Sequence, residues 1–193
     1  MAVSTATRVS ARERILETAN RLFYAEGIQT IGVDRIIDEA GVAKASLYKT
    51  FGSKNALIAA YLDSRHQAIL ERMHRAMADV ESPRDKVLAV FDSHAAVFRR
   101  ADYHGCPFAT ASAESTPGDG VDEATRRFRR AVRGLFRDLA AELGADDPEA
   151  LARRLQLVYD GASLSARIDR DPSIADDARA AAELLLDTAA PSA

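Results

Sequence analysis

Apolar residues recur along this chain at three- and four-residue intervals, the repeat that lines one face of an α-helix, in place of the alternation that marks strands. The first such stripe is Ile15, Ala19, Leu22 and Phe23. Ser10 stands before it with Glu13 three residues on, the spacing of a capping box, and Gly27 follows it. A helix from about Ala11 to Glu26 is predicted. Val33, Ile36, Ile37 and Ala40 repeat the pattern over a short second helix, which Gly41 closes as a residue able to take positive φ. A third helix, about Lys44 to Phe51, begins after only Gly41, Val42 and Ala43, and its inner face holds Leu47 and Phe51. Two helices joined so tightly must cross steeply.

Gly52 breaks the chain again, and Ser53 caps a long fourth helix that runs through Tyr61 to about Val80. Further helices are expected from Ser82-Pro83 to about Arg100, at Val121 to Leu143, at Pro148 to Arg167 and at Ser173 to Thr188. Between Asp102 and Gly120 the pattern is irregular, with one short helical turn around Phe108 to Glu114 and a loop at Thr116 to Gly120. The fold class is therefore all-α, with about nine helices in all.

Composition narrows the function. With 47% hydrophobic residues in 193 the chain can bury a core, and no internal repeat is present. A single cysteine, Cys106, excludes an intramolecular disulfide framework and a Cys-rich zinc site, which fits a reducing, cytoplasmic setting. The first ten residues lack a signal-like apolar core, and no window reaches the roughly 18 uninterrupted apolar residues of a spanning helix, so no membrane partner is expected. No pair among His66, His74, His94 and His104 has the i, i+4 spacing of a helical metal site, and no phosphate loop or activated nucleophile is evident. Neither metal, cofactor nor enzymatic activity is expected.

The net charge of −3 conceals a division. Residues 1–54 carry eight Lys/Arg against six acids, whereas the remainder carries 18 against 23. An anion-seeking N-terminal region is thereby indicated, because phosphate contacts require local positive charge and not a basic whole. With Leu47 and Phe51 inward, the third helix turns Lys44, Ser46, Tyr48 and Lys49 outward. Lys44 can donate to guanine, Ser46 can pair with several base edges, and Ala43 or Ala45 can pack on a thymine methyl. Tyr48, Lys49 and Lys54 suit phosphate contacts. On spacing alone, a small helical bundle with a solvated basic side remains open beside a helix-turn-helix.

The run from Gly41 to Leu57, GVAKASLYKTFGSKNAL, resembles the recognition-helix region of the TetR (tetracycline-repressor) family of regulators. Ile15-Leu16, Ala19, Leu22-Phe23, Gly27 and Val33 to Ile37 also fall at that family's spacing, so the resemblance covers about residues 11 to 60 without a gap. It implies a helix-turn-helix DNA-binding domain at 1–53 and a helical ligand-binding and dimerisation domain at 54–193. It also implies a homodimer that binds a palindromic double-stranded DNA operator and is released by a small-molecule effector, as a repressor. Carried over, Lys44 and Ser46 fall at base-proximal positions, Tyr48 and Lys49 at phosphate or base contacts, and Lys54 at the phosphate-binding start of the fourth helix. This chain departs from the family pattern at Gly32, where a Ser or Thr is usual and Thr30 is the substitute, and at Ala43 and Ala45, which replace a frequent Ser and Gly.

In the C-terminal region the pocket candidates are Tyr61, Arg65, Phe91, His94, Phe98, Cys106, Phe108, Phe128 and Tyr159, each of which also reads as ordinary core. Cys106 reads either as a small buried hydrophobe or as a redox sensor. The arginine-rich stretch at Arg126 to Arg137 reads as a solvated face, an anionic-ligand site or a second nucleic-acid patch. Leu155, Val158, Ala162 and Ala166, with Ile174, Ala178, Ala181 and Leu185, form stripes expected to build a four-helix dimer interface.

Overall fold

Helix signals in the sequence translate into nine α-helices, and no strand, among the described residues. The computed structural model describes residues 10–116 and 119–189. The start of the chain, read above for a signal segment, and the middle of the Thr116 to Gly120 loop lie outside the described residues.

The helices are α1 (Ala11–Glu26), α2 (Val33–Ala40), α3 (Lys44–Phe51), α4 (Lys54–Met77), α5 (Pro83–Phe98), α6 (Pro107–Glu114), α7 (Val121–Glu142), α8 (Pro148–Asp169) and α9 (Ile174–Asp187). The Ser10 and Glu13 side chains cap α1 reciprocally, and Ser53 accepts from the Ala56 N–H at the start of α4. Each satisfies backbone donors that the first turn of a helix leaves free. One difference from the expected pattern is α6, a two-turn helix where one turn was predicted. Pro107 opens it with φ already suited to a first turn, and Phe108 and Ala111 bury its inner face.

Around the first three helices, Ile15, Ala19, Leu22, Phe23, Ile36 and Leu47 are sealed from solvent together with Ile28 and Ile31 of the α1–α2 loop. Gly41 ends α2 at φ 62°, left-handed backbone that a side chain would strain. Arg14 fixes the turn from outside, its Nη1 donating to the carbonyls of Ala40 (3.3 Å) and Gly41 (3.1 Å). A cation supplying donors to the last carbonyls of a helix satisfies both their lone pairs and their dipole.

No break in burial separates this head from the body. Tyr61 of α4 meets Phe23 of α1 edge to face at 5.5 Å, and the apolar core runs on through Phe91, Val132, Phe136 and Leu155 to Leu186. Helices α5, α7, α8 and α9 form the body, with α6 laid on α7 through the stacked rings of Phe108 and Phe128 at 4.0 Å. Most of the arginine-rich stretch of α7 pairs with neighbouring acids, Arg126 and Arg130 with Glu123, Arg127 with Asp63, Arg129 with Asp160 and Arg137 with Asp138, while Arg133 donates to the Gln156 side chain. It is a solvated, salt-bridged surface.

Candidate nucleic-acid interface and ligand cavity

On α3, burial and exposure divide as a helix anchored on one side requires. Leu47 is fully buried, and Phe51 is half-buried under the Arg12 guanidinium at 5.6 Å from its ring centre. Lys44, Ala45, Tyr48, Lys49 and Thr50 are exposed, Tyr48 by 44% despite its aromatic ring. Ser46 is half-buried, and its carbonyl accepts from the Thr50 hydroxyl at 2.7 Å. Ala43, the residue before the helix, offers no side-chain cap, and neither does Gly32 before α2. The first N–H groups of both helices thus lack a side-chain acceptor, and such helix starts favour an anion.

Lys44 is held in reserve. Its Nζ donates to Asp34 at 2.7 Å, which raises its pKa and ties the start of α3 to the start of α2. Both groups are exposed, so water and salt weaken the pair and a base or phosphate can displace the carboxylate. Thr30 and Gly32 are exposed in the loop beside this face. Lys54 is half-buried in the first turn of α4, where burial lowers its pKa against the opposing influence of Glu114.

A second feature lies where α4, α5 and α8 meet the segment preceding α6. It is a cavity of about 270 Å³ walled by apolar groups at Ile69, Val97, Phe98 and Phe128 and by polar ones at Tyr24, Arg65, Arg72, Arg75, His94, Arg100, Asp102 and Tyr159. Tyr24 belongs to α1, so the head supplies part of the wall. Its hydroxyl donates to the Gly105 carbonyl at 3.0 Å and accepts from the His104 N–H at 3.1 Å. Arg65 stacks on the Tyr24 ring at 4.1 Å while its Nη2 donates to the Asn20 carbonyl.

At its far end α6 also reaches the head. The Glu114 carboxylate accepts from the Gln29 N–H at 2.9 Å and lies over Gly27, where an added Cβ would sit 2.3 Å from its oxygen. Glycine is favoured at position 27 by its φ of 92°, whereas the Glu114 carboxylate, the end of a flexible side chain, could shift to admit a Cβ.

Residues 15–61 match the bacterial regulatory proteins of the tetR family. Over the whole chain, the fold is similar to a TetR-family transcriptional regulator from Streptomyces coelicolor, with 34% identity, a TM-score of 0.87, and 93% of this chain and 95% of the other covered. The chain belongs to the TetR family. The reduced form of NemR from Escherichia coli is also similar in structure, with 25% identity, a TM-score of 0.81, and 90% and 95% coverage. An uncharacterised HTH-type transcriptional regulator of Mycobacterium tuberculosis is 29% identical over 148 residues, 77% of this chain and 70% of its own. The protein is thus a TetR-family regulator of transcription that binds DNA, and not an enzyme.

Against this TetR-type architecture, the cavity gathers Arg65, His94, Phe98, Cys106, Phe128 and Tyr159 from the predicted set, but not Tyr61, Phe91 or Phe108. Those three are core: Tyr61 packs on Phe23, Phe91 on Phe136 and Phe108 on Phe128. Sequence reasoning missed Tyr24, Arg72, Asp102 and Tyr103. Tyr24 and Arg72 sit on the helices α1 and α4 at positions where a polar residue reads as solvated surface, and only the fold partners them, Tyr24 with His104 and Gly105 and Arg72 with Tyr159 of α8. Burial pushes the Cys106 thiol upward in pKa, and the residue forms part of the cavity wall.

The predicted dimer stripes need correction at their buried residues. Leu155, Ala162, Ala166 and Ala178 are buried within the protomer, and Val158, Ile174, Ala181 and Leu185 are half-buried. The apolar surface that α8 and α9 leave open is instead Leu157, Gly161, Leu164 and Ile168 with Leu184, the four large side chains being 56–68% exposed. Helix α8 is apolar on two faces, and periodicity alone does not say which one turns inward.

Proposed function

We propose that the protein is a homodimeric, cytoplasmic repressor that grips a palindromic operator through α3 of each protomer and lets go when a small molecule fills the cavity. The observation that carries this reading is the position of Tyr24, which is at once a residue of the DNA-binding head and a wall of the cavity. A ligand that moves Arg65 off the Tyr24 ring, or shifts the segment around Gly105, changes the packing of α1 directly. Helix α6 offers a parallel route, since its start borders the cavity and its end holds the α1–α2 loop through Glu114. We divide the chain functionally at 53/54, with α4 as the lever between the parts.

In this reading Lys44 and Ser46, with the methyls of Ala43 and Ala45, face base edges. Tyr48, Lys49, Thr30, Lys54 and the free N–H groups at Gly32 and beyond face phosphates. The exposed leucines and isoleucine of α8 and α9 join two protomers as a four-helix contact. Two recognition helices then sit about 34–36 Å apart, one turn of DNA, and a shift of a few ångströms ends simultaneous docking. The name of the E. coli relative NemR, 27% identical over 176 residues, is that of a repressor, which favours repression over activation here.

Selection of bound duplexes from a random pool tests the proposal. A palindromic consensus bound by a dimer, and lost on addition of a small molecule that binds the chain, is the expected result. A consensus without two-fold symmetry, or binding by a monomer, would refute it.

A further inference from the structure

We propose that the ligand of this cavity is a small organic carboxylate, gripped by Arg72 together with Arg65, His94 and Tyr159. The proposal rests on the effector reading of the cavity and adds the chemical class of the effector.

Two cations in the cavity wall, both half-buried, form no ion pair. Arg100 is neutralised by Asp102 at 2.7 Å, and Arg75 faces Glu71 at 3.8 Å. Among the described residues, no carboxylate comes within 4.0 Å of Arg65 or Arg72. Each makes one hydrogen bond through Nη2, Arg65 to the Asn20 carbonyl and Arg72 to the Tyr159 hydroxyl at 3.1 Å. The Nε of each is buried without an acceptor.

His94 points the same way. It is 2% exposed, lies between Tyr159 at 4.0 Å and Phe98 at 4.8 Å, and its Nδ1 has no partner. Burial, with the charge of Arg72 beside it, holds the ring neutral. It therefore brings a hydrogen bond and no additional positive charge. Tyr159 accepts from Arg72, and its own proton has no acceptor among the described residues. Native interiors leave few buried polar groups unpaired, yet Arg65, Arg72 and His94, all of which line this cavity, each keep one such atom.

Water could accept from these donors but would not neutralise two unpaired guanidinium groups. An anion does both, and the planar fork of a guanidinium fits a carboxylate in two-point contact. The apolar wall residues Ile69, Val97, Phe98 and Phe128 suit a hydrocarbon chain or single ring, and about 270 Å³ limits its size.

The test compares acids with their uncharged amides on the full-length protein at pH 7.5, by calorimetric titration and thermal unfolding. The probes are benzoate and benzamide, phenylacetate and phenylacetamide, hexanoate and hexanamide. At least one acid is expected to bind once per chain and raise Tm, with its amide tenfold or more weaker. Arg72→Gln should remove that preference, and Arg72→Lys should retain part of it. The acid–amide comparison in the unaltered protein stands even if Arg72→Gln fails to fold. Amides that bind as well as acids, acids that bind Arg72→Gln undiminished, or the failure of all three acids would overturn the proposal. Acids that bind but leave the operator complex intact would support it and retire the release mechanism. Release by neutral molecules alone would do the reverse.

Discussion

The head and the body of this regulator keep their polar groups in opposite places. In the head, Lys44, Tyr48 and Lys49 stand outside a small sealed core, and the one charged pair near them is exposed. In the body, His94 is buried and Arg65 and Arg72 are half-buried, the arginines orphaned at Nε and the histidine at Nδ1. A surface that meets DNA can leave its cations in water until the polyanion arrives. A cavity proposed to select one small molecule can leave some polar groups under-satisfied, so that a matching partner completes them. Each arrangement makes a different kind of mutation informative.

The largest effect is expected where the two regions depend on one another, at the outer face of α8 and α9. Charging that face with Leu164→Asp and Leu184→Asp should dissociate the dimer in sedimentation experiments while leaving the protomer fold intact, since both side chains are more than half exposed. With only one head per particle, operator affinity should fall by about 10²–10⁴-fold through loss of linked binding. A variant that remains dimeric would place the interface elsewhere.

Next comes the contrast within α3 itself. Leu47→Ala empties a fully buried site and should cost about 2–5 kcal/mol in urea unfolding. Tyr48→Ala, one residue along, should leave stability within about 0.5 kcal/mol and weaken DNA binding instead. Equal stability losses in the two variants would mean that the helix is anchored on a different face.

A pH titration separates the buried histidine from everything in the head. His94 has a pKa well below the ordinary 6.5, so below that value the unfolded chain takes up a proton that the folded chain refuses. Stability should therefore fall as pH drops below about 6.5, by at most about 1.4 kcal/mol per pH unit until the folded group itself titrates. Above 6.5 the group contributes no slope. His94→Asn should flatten this part of the curve relative to the unaltered chain, and an unchanged slope would show the ring to be accessible to protons.

How much of this was legible in the sequence follows the same division. The head could be read nearly to the residue, because its helices are bounded by local chemistry: the Ser10 and Glu13 cap, Gly27, Gly41 and the Ser53 cap. The outward face of α3 then followed from Leu47 and Phe51. The body's helices were equally legible, but their contents were not. Whether Leu155 or Leu157 turns inward depends on α5 and α7, which no local pattern of α8 records. Arg72 reads as one more solvated arginine until its Nη2 meets Tyr159, 87 positions away. The missed groups are those defined by an absent partner, and absence becomes visible only once the chain is folded.

The smallest and most discriminating effects return to the head, where two lysines on one helix should behave differently. Lys49 has no ion pair among the described residues, and Lys49→Ala should weaken binding to every duplex alike, lowering the slope of log affinity against log salt by about one. Lys44 sits at the first turn of α3, tied to Asp34, so its binding to DNA exchanges one acceptor for another. Lys44→Ala should therefore alter which base is preferred at one position of each half-site, with a smaller change in salt slope than Lys49→Ala. Competition binding over a set of single-base operator variants at several salt concentrations reads both quantities. If Lys44→Ala changes only the slope and Lys49→Ala changes the base preference, the two side chains have exchanged roles, and α3 lies in the groove rotated from the orientation argued here.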